Sequence, residues 1–481
     1  MSLLLLLSFF QLSQQKQQQR STLSVVVHNL LLLLLLQLQH SKATKSAADV
    51  SDDETSRRRR QRTDMIIVSP IGDPINVWSS VDTLHKCNGI IDVPDIPVRV
   101  FVNPTTDVVH MIDGSTHYHK MYGNSSSNIF NVTRDCDVSW NMTGNYDPAS
   151  YANNEFLDST YAFDNGTVIS LLHNEYPGNV YNNCENNGGG KGSYPYCWQV
   201  SIGLAISYDW GNTWQHIHKS PYHRIVNVPY KYNSSQLACG WGDPSNIVYN
   251  NMDGYYYFAV WNRNKVGLLQ EPGTCIVRTN NLFDTTSYRG YNGITQTYDV
   301  TFTSPYNNEE EDEEEDEDDI SNHICTVIDN IPKECAILGL SYSMYFVKFV
   351  GTIGCFGSST LGRDFYISTS DDFIQWSEIQ RIYSRDDLPQ HVQDVTTSIH
   401  YPALIDPLAS PVYNDINYQY IGRNPYLFWV SFGHNPHTDG RSLWATPMEM
   451  TTMTTTKRND EIVESKFTPK ARNFKQQQWL G

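Results

Sequence analysis

Acidic side chains stand just before several predicted β-strands, at corresponding places along the chain. Asp95 precedes IPVRVF, Asp158 precedes STYAF and Asp243 precedes PSNIV, while the pair His400-Tyr401 precedes PALID in the same way. If these strands are equivalent units of one fold, the three carboxylates converge and repel one another. Such repulsion raises at least one pKa and separates a proton donor from a base. The pattern therefore predicts general acid–base chemistry.

Two further segments add polar groups that could work with these carboxylates. Glu175 lies in His173-Asn174-Glu175-Tyr176, at the end of the next predicted strand, and is an alternative proton donor. Arg99 and Arg278 lie on strands and could bind an anionic ligand, because a guanidinium pairs with a carboxylate or sulfate through two hydrogen bonds. For each of these residues, a capping or salt-bridging role remains open.

The elements that would position these groups form a repeat. Five segments read as strand, turn and strand, with alternating or aromatic-rich β character, and three of them are followed by a further pair of strands around a polar turn. Four-stranded antiparallel units of this kind, and the lack of a strong amphipathic helix, predict an all-β fold with a single β-propeller over residues 65–481. Five blades are preferred, and six are the alternative if 113–157 hides another. The five segments are 98–112, 159–176, 245–262, 336–351 and 403–433.

One of the polar turns has a recognisable pattern, Ser207-x-Asp209-x-Gly211-x-x-Trp214. An aspartate there can accept backbone N–H groups across a turn, glycine can adopt a positive φ, and tryptophan can pack between sheets. The pattern resembles the Asp-box of sialidases and related propellers. A second copy at 369–376, aligned on Asp371 and with Phe373 in place of glycine, resembles the turns of five-bladed glycosidases. In these families the motif is structural, so it indicates fold and not chemistry.

The resemblance to five-bladed glycosidases implies a base aspartate on the first blade, a helper aspartate on the second and an acid glutamate on the third. Asp95 and Asp158 match the first two positions. The third position holds Asp243 instead of glutamate, which leaves the acid open between Asp243 and Glu175.

The resemblance to sialidases implies three arginines that bind a sugar carboxylate, a tyrosine nucleophile with a glutamate partner, and an acid/base aspartate. Arg99 and Arg278, with Arg289 and Arg441, are the arginine candidates, and Tyr401 with Glu175 could form the pair. A polysaccharide lyase acting on anionic glycans would instead use His173 and Tyr401 as base and acid.

Glycan or polysaccharide is therefore the expected partner. A glycoside hydrolase is the preferred function; the alternatives are a non-catalytic glycan- or protein-binding propeller and a sialidase or lyase. Nucleic acid is disfavoured, because the net charge is −18 and the body has no basic track. No cofactor or metal is expected: His117 and His119 lack a clear third ligand, and the acidic run 309–319 reads as an insertion in which a structural calcium ion is unsupported.

The cysteines and the N-terminus predict a secreted or lumenal protein. Nine cysteines and sequons at Asn124, Asn131, Asn141, Asn165 and Asn233 indicate an oxidising compartment, with local disulfides predicted for Cys184–Cys197 and Cys325–Cys335. Residues 1–40 read as a signal peptide or signal anchor, and 41–64 as a basic linker or pro-segment. Membrane anchoring through the apolar segment, as in a type II protein, stays possible.

Overall fold

The chain folds almost entirely into antiparallel β-strands. The computed structural model describes residues 62–79, 94–112, 117–123, 125–126, 128–141, 144–185, 197–263, 269–306, 320–356, 364–394, 396–433, 441–458 and 461–467. The chain divides into two compact units. One comprises 1–63 and 456–463 and lies almost wholly outside the described residues, so the account below concerns the other, 64–455 and 464–481.

Consecutive strands form sheets that we number as blades in chain order. In blades 1 to 3 each strand pairs with its successor, except that β10 and β11 both pair with β9, and β12 and β13 both pair with β14. A parallel contact of β12 with β9 joins blades 2 and 3. Blade 1 contains β3 (Arg99–Asn103), β4 (Val108–Ile112), β5 (His117–Gly123) and β6 (Val132–Asn141); blade 2 contains β7 (Asn154–Ala162), β8 (Val168–Pro177), β9 (Trp198–Ser207), β10 (Gln215–His216) and β11 (Arg224–Val226); blade 3 contains β12 (Cys239–Gly242), β13 (Val248–Asn250), β14 (Tyr255–Asn262), β15 (Gly273–Thr279), β16 (Arg289–Asn292) and β17 (Thr297–Val300).

Blades 4 and 5 follow the same plan, and the N-terminal strands complete blade 5. Blade 4 contains β18 (Cys335–Ser343), β19 (Lys348–Cys355), β20 (Asp364–Ser370) and β21 (Gln380–Ser384), with β23 (Tyr420–Ile421) on the edge of β18. Blade 5 contains β22 (Ser398–Ile405), β24 (Tyr426–Phe432) and β25 (Arg441–Arg458), to which β1 (Arg62–Pro70), β2 (Ile75–Ser79) and β26 (Glu461–Phe467) pair. Helices are short: α1 (Gln390–Gln393), α2 (Ala409–Tyr413) and 3₁₀ turns at Pro148–Ser150, Ile320–His323 and Arg385–Asp387.

The hydrophobic core is divided among the interfaces between blades. Phe101 of blade 1 packs with Leu157 of blade 2, and similar clusters join blades 2 and 3, 3 and 4, and 4 and 5. A further cluster brings Val100 of blade 1 against Phe428 of blade 5 and closes the ring. The predicted all-β propeller with antiparallel blades is therefore confirmed. The stretch 113–157, considered for a sixth blade, supplies β5 and β6 of blade 1.

The Asp209 turn joins the third and fourth strands of blade 2, as predicted. Asp209 accepts the backbone N–H of Thr213 at 2.9 Å, and the Trp214 ring nitrogen donates to the Gly211 carbonyl at 3.1 Å. Gly211 has a φ of 78°, which a residue with a Cβ adopts only at a cost.

The second copy of this turn corrects the alignment made from the sequence. Asp372, and not Asp371, accepts the N–H groups of Ile374 and Gln375 at 2.9 and 2.8 Å. Asp371 instead forms a surface ion pair with Lys348. The shift by one residue arises because this turn is one residue shorter between the aspartate and its tryptophan.

The disulfides confirm one predicted pair and correct the other. Cys184–Cys197 is present, but Cys325 is bonded to Cys275 and Cys335 to Cys355. Cys335 and Cys355 face each other directly across β18 and β19, so strand register sets this pair and not proximity in sequence. Cys136 is also disulfide-bonded, and Cys239 is a buried free thiol.

Several sequence predictions fall outside the described residues. These are the signal segment 1–40, the linker 41–64 apart from its last residues, and the acidic run 309–319. His117 and His119 lie in β5, but their side chains are not among those described. Among the described residues, no helix is both long and apolar enough to cross a bilayer.

Candidate active site

Irregular backbone aims the predicted residues towards one end of the propeller. Asp158 sits within β7 at a bulge between Leu157 and Ser159, and not before the strand as predicted. Tyr401 lies at a bulge in β22 with a φ of 58°, and Asp243 follows β12 with a φ of 46°. Bulges re-aim side chains out of the regular alternation of a strand, which is why they recur near functional sites.

Arg99 closes the middle of the propeller and does not face solvent. Its guanidinium donates to the carbonyl oxygens of Asp158 at 2.9 Å, Pro244 at 2.8 Å and Leu338 at 3.0 Å, which belong to blades 2, 3 and 4. The residue is 3% exposed. Burial lowers the pKa of Arg99 to about 10, although Asp158 opposes the change. The prediction that Arg99 binds substrate is therefore wrong: its donors hold three blades together.

A small polar cleft of about 80 Å³ lies beside this arginine. It brings together all five residues predicted to be catalytic, although they come from three different blades and from the segment before β3. The lining also includes one predicted binding residue, His173, and two side chains that the sequence did not single out, Phe156 and Arg263. The lining residues are Asp95, Ile96, Pro97, Phe156, Asp158, His173, Glu175, Asp243, Arg263 and Tyr401.

His173 of β8 is the centre of the charge cluster. Its Nδ1 lies 3.5 Å from Asp158 Oδ2 and 3.8 Å from Asp243 Oδ1, and its Nε2 lies 3.3 Å from Glu175 Oε1. The backbone nitrogen of Asp243 is 3.1 Å from Nδ1. Burial alone would lower the pKa of His173, but the three carboxylates outweigh it and raise the pKa to about 10. The three carboxylates thus favour the protonated imidazole, whereas the Asp243 N–H can donate to Nδ1 only in the neutral tautomer that carries its proton on Nε2.

Gly242 makes room for that imidazole. A Cβ at this position would lie 3.0 Å from Cε1 of His173. A larger residue would push the ring away from the carboxylates. Gly242 therefore leaves space for the His173 ring, and the next residue, Asp243, contacts it.

Asp95 is held at the mouth of the cleft by blade 5. The Tyr401 hydroxyl donates to Asp95 Oδ1 at 3.0 Å, and the Arg441 guanidinium donates to the same oxygen. Burial raises the pKa of Asp95, with the charge and hydrogen bond of Arg441 and the bond from Tyr401 acting in the opposite direction. Burial also raises the pKa of Tyr401 well above its usual value, so this phenol stays protonated.

Asp158 and Asp243 are more enclosed. Asp158 is 1% exposed, and burial raises its pKa against the opposing effects of His173 and Arg99. Asp243 is gripped by Arg263, whose Nη2 donates to both carboxylate oxygens at 2.9 and 2.7 Å. Arg263 directly follows Asn262 of β14, which pairs with Trp241 of β12, so the hairpin register could have revealed its proximity to Asp243.

The remaining predicted binding residues lie outside this lining. Arg278 packs between the rings of Tyr255 and Tyr298, with its guanidinium carbon 4.2 and 4.3 Å from their centroids. It belongs to β15, two strands out from the inner edge of its blade, so the prediction that it binds substrate in the cleft is wrong. His400 Nε2 is 2.8 Å from Ser398 Oγ, and burial, with Arg441, lowers its pKa to about 4.

The three-arginine arrangement of the sialidase comparison does not assemble from the predicted residues. Arg99 is buried and Arg278 packs among tyrosines, while Arg289 donates to the carbonyl oxygens of Thr286 and Tyr288. Only Arg441 of that set reaches the cleft region, where it pairs with Asp95.

No protein-family model matches the chain, and no curated protein is similar to it. Solved structures with a partly similar fold include an α-L-arabinofuranosidase of Podospora anserina (8% identity, TM-score 0.41, 78% of this chain and 98% of that one). Others are an α-L-arabinanase of Cellvibrio cellulosa (5%, 0.39, 78% and 96%) and a family 117 glycoside hydrolase of Zobellia galactanivorans (7%, 0.43, 78% and 91%). Similarity at this level does not transfer an activity to the chain.

Proposed function

We propose that the protein is a glycoside hydrolase whose site is the cleft around His173. The observation that carries the proposal is the convergence of Asp95, Asp158, Glu175 and Asp243 on one cleft beside the imidazole of His173. Hydrolysis of a glycosidic bond needs a proton donor at the leaving oxygen and a second carboxylate as base or nucleophile. Both groups are present at the accessible edge of this cluster.

Asp95 has the features of the base or nucleophile. Its Oδ1 accepts from Tyr401 and Arg441, and charge-assisted hydrogen bonds of this kind favour the ionised carboxylate. About one third of its side chain is exposed, at 32%, so the other oxygen can reach a water molecule or a sugar carbon.

Glu175 is the proposed acid. Its side chain is 14% exposed, and one oxygen lies 3.3 Å from His173 Nε2. In the proposed cycle the His173–Glu175 pair shares one proton, and Glu175 delivers this proton to the leaving oxygen as the glycosidic bond breaks. The pair is then left with a neutral imidazole and an ionised Glu175, and the water molecule consumed in the second half of the cycle returns a proton to it.

Asp158 and Asp243 are proposed as positioning residues. Both face Nδ1 of His173, and neither has Glu175's access to solvent. Their negative charges keep the imidazole protonated and oriented towards Glu175. Arg263 donates to both carboxylate oxygens of Asp243, so this carboxyl is already engaged, which argues against Asp243 as the acid.

A neutral sugar is the substrate class that best matches the charges. The two arginines at the cleft, Arg263 and Arg441, already bind Asp243 and Asp95. A sugar carboxylate or sulfate would therefore have to compete with Asp243 and Asp95 for these arginines, which disfavours the sialidase and lyase alternatives.

The test is a screen of the purified protein against mixed aryl-glycosides and against anionic polysaccharides, with Glu175→Gln and Asp243→Asn in parallel. The proposal expects cleavage of a neutral glycoside that both variants reduce, Glu175→Gln the more strongly. Cleavage that neither substitution reduces would place the site elsewhere, and glycan binding without turnover would support the non-catalytic alternative.

Secretion is part of the proposal. Three disulfides occur among the described residues, and the four described sequon asparagines, Asn131, Asn141, Asn165 and Asn233, are all exposed. Both features suit a protein that matures in the secretory pathway. Treatment with a glycosidase that removes N-glycans should lower the apparent mass of the protein from a eukaryotic host.

A further inference from the structure

A second cluster of ionisable groups lies in blade 2, outside the cleft. Glu155 is on β7, next to Phe156, and the alternation of a strand sends these two side chains to opposite faces of the sheet. His216 is on β10, and His223 comes just before β11. Both of these outer strands pair with β9, so the two histidines return over the same sheet face as Glu155.

The three side chains converge on one point. Glu155 Oε1 lies 2.8 Å from His216 Nε2 and 3.4 Å from His223 Nε2. One ligand atom from each residue can be chosen so that all lie within 4.8 Å of one another. The two imidazoles stack, with centroids 4.0 Å apart. Both present Nε2 to the Glu155 carboxylate.

The cluster is buried, and part of its bonding capacity is unused. Glu155 and His223 are both 0% exposed. Among the described residues, Glu155 Oε2 and His223 Nδ1 have no hydrogen-bond partner. A carboxylate oxygen without a partner at full burial is costly, and the two imidazoles at Oε1 leave Oε2 uncompensated. The second oxygen is thus available to a cation or a hydrogen-bond donor that the described residues do not provide.

We propose that Glu155, His216 and His223 bind one divalent transition-metal ion of the zinc class. Two imidazole nitrogens and one carboxylate oxygen match the ligand preference of zinc, whereas calcium and magnesium prefer sites made of oxygen atoms. The carbonyl oxygen of Tyr151 lies 3.0 Å from His223 Nε2 and borders the same point. The His216 side chain is 14% exposed, which gives an ion a path from solvent.

The expected role is structural and independent of glycoside cleavage. The ion would join the first strand of blade 2 to its outermost strands, which share no hydrogen bonds with β7. His216 also contacts the Trp140 ring of blade 1 at a centroid distance of 5.2 Å, so the bound ion would brace the interface between blades 1 and 2.

The experiment uses tag-free full-length protein dialysed first against a chelator and then against zinc. Metal content is measured by plasma mass spectrometry, and the thermal midpoint is recorded with and without zinc. Cobalt is loaded separately, because its visible spectrum reports nitrogen and oxygen ligands directly. We expect one equivalent of metal per chain and an upward shift of several degrees in the midpoint.

His216→Asn is the main variant, because this side chain is only partly buried and its loss should leave the fold intact. His218→Asn, two residues away and exposed, is the matched control. The first should lose the bound equivalent and the thermal shift, and the second should keep both. Failure of zinc, cobalt, nickel and copper to bind the wild type would overturn the proposal, as would equal retention or equal loss in the two variants.

Discussion

Two aspartates of blade 2, Asp158 and Asp209, show how differently one residue type is used within a single sheet. Asp209 accepts hydrogen bonds from its own turn, and although burial acts in the opposite direction, these bonds lower its pKa. Asp158 lies among other charges at the inner strand, and burial raises its pKa. Local groups of the turn satisfy the first carboxylate, while the second depends on His173 of the neighbouring strand and on Arg99 of blade 1.

The same contrast holds across the repeat. The turn of Asp209 recurs in blade 4 with Asp372 and in a related form in blade 3 with Asn281, which accepts the N–H of Phe283 at 3.0 Å. The cleft residues have no such copies. The first strand of blade 4 has a bulge like that of blade 2, but the residue in it is Leu338, where blade 2 has Asp158. Features that repeat hold the blades together, and features that break the repeat gather in the cleft.

The largest effect should come from the cleft. Glu175→Gln removes the proposed proton donor and should lower kcat about 10²–10⁴-fold on whichever glycoside the screen identifies. Glu185→Gln is the control, because Glu185 bonds to Ser234 outside the cleft lining. Steady-state kinetics with an unchanged kcat for Glu175→Gln would remove Glu175 from the mechanism.

Removing the arginine that supports the cleft should cost stability. Arg99→Met leaves three carbonyl groups and the buried Asp158 carboxylate without their partner, so the free energy of unfolding should fall by about 3–5 kcal/mol. Urea denaturation measures this change. Arg278→Met, which removes partly exposed cation–π contacts, should cost about 1 kcal/mol or less; similar losses for both variants would contradict the role given to Arg99.

The raised pKa of His173 predicts that the free energy of unfolding depends on pH. Because the folded state keeps this proton up to a pKa of about 10, whereas the unfolded chain releases it near 6.5, stability should fall as pH rises between these values. One proton corresponds to a slope of at most about 1.4 kcal/mol per pH unit. His173→Asn should flatten the profile and His218→Asn should not; a wild-type profile that rises over this interval would show that His173 is neutral.

The smallest effect should come from the repeated turns. Asp209→Ala and Asp372→Ala each remove acceptors of turn N–H groups and should lower the free energy of unfolding by about 1–2 kcal/mol, with kcat unchanged. Asp371→Ala removes only a surface ion pair with Lys348 and should have little effect. A larger loss for Asp371→Ala than for Asp372→Ala would restore the original alignment.

The sequence was informative where structure depends on neighbouring residues. Strand pairs, the Asp209 turn and the Cys184–Cys197 disulfide all involve short separations, and their residue types have direct physical reasons. The repeat also drew attention to Asp95, Asp158 and Asp243, which line one cleft, although Asp158 lies at a bulge within its strand and not before it.

What the sequence could not supply depends on register and on distant partners. The bulges that turn Asp158 and Tyr401 towards the cleft leave no clear signal in residue type, and the bonds of Arg99 span up to 239 positions. Arg278 and Arg99 look alike in sequence, yet one packs on tyrosines on the third strand of blade 3 and the other is buried among blades 2, 3 and 4. Only the arrangement of whole blades distinguishes them.

The pairing of β2 with β25 has a consequence for how the protein is made. Ile75 pairs with Ala445, so β2 can pair only after the distant strand β25 has been synthesised. Contacts this distant are slow to form, and until they do, β25 presents an open edge to other chains. Pairing of β2 with β25 therefore competes with aggregation through the exposed edge of β25. Chaperones that cover this edge during synthesis would favour the native pairing.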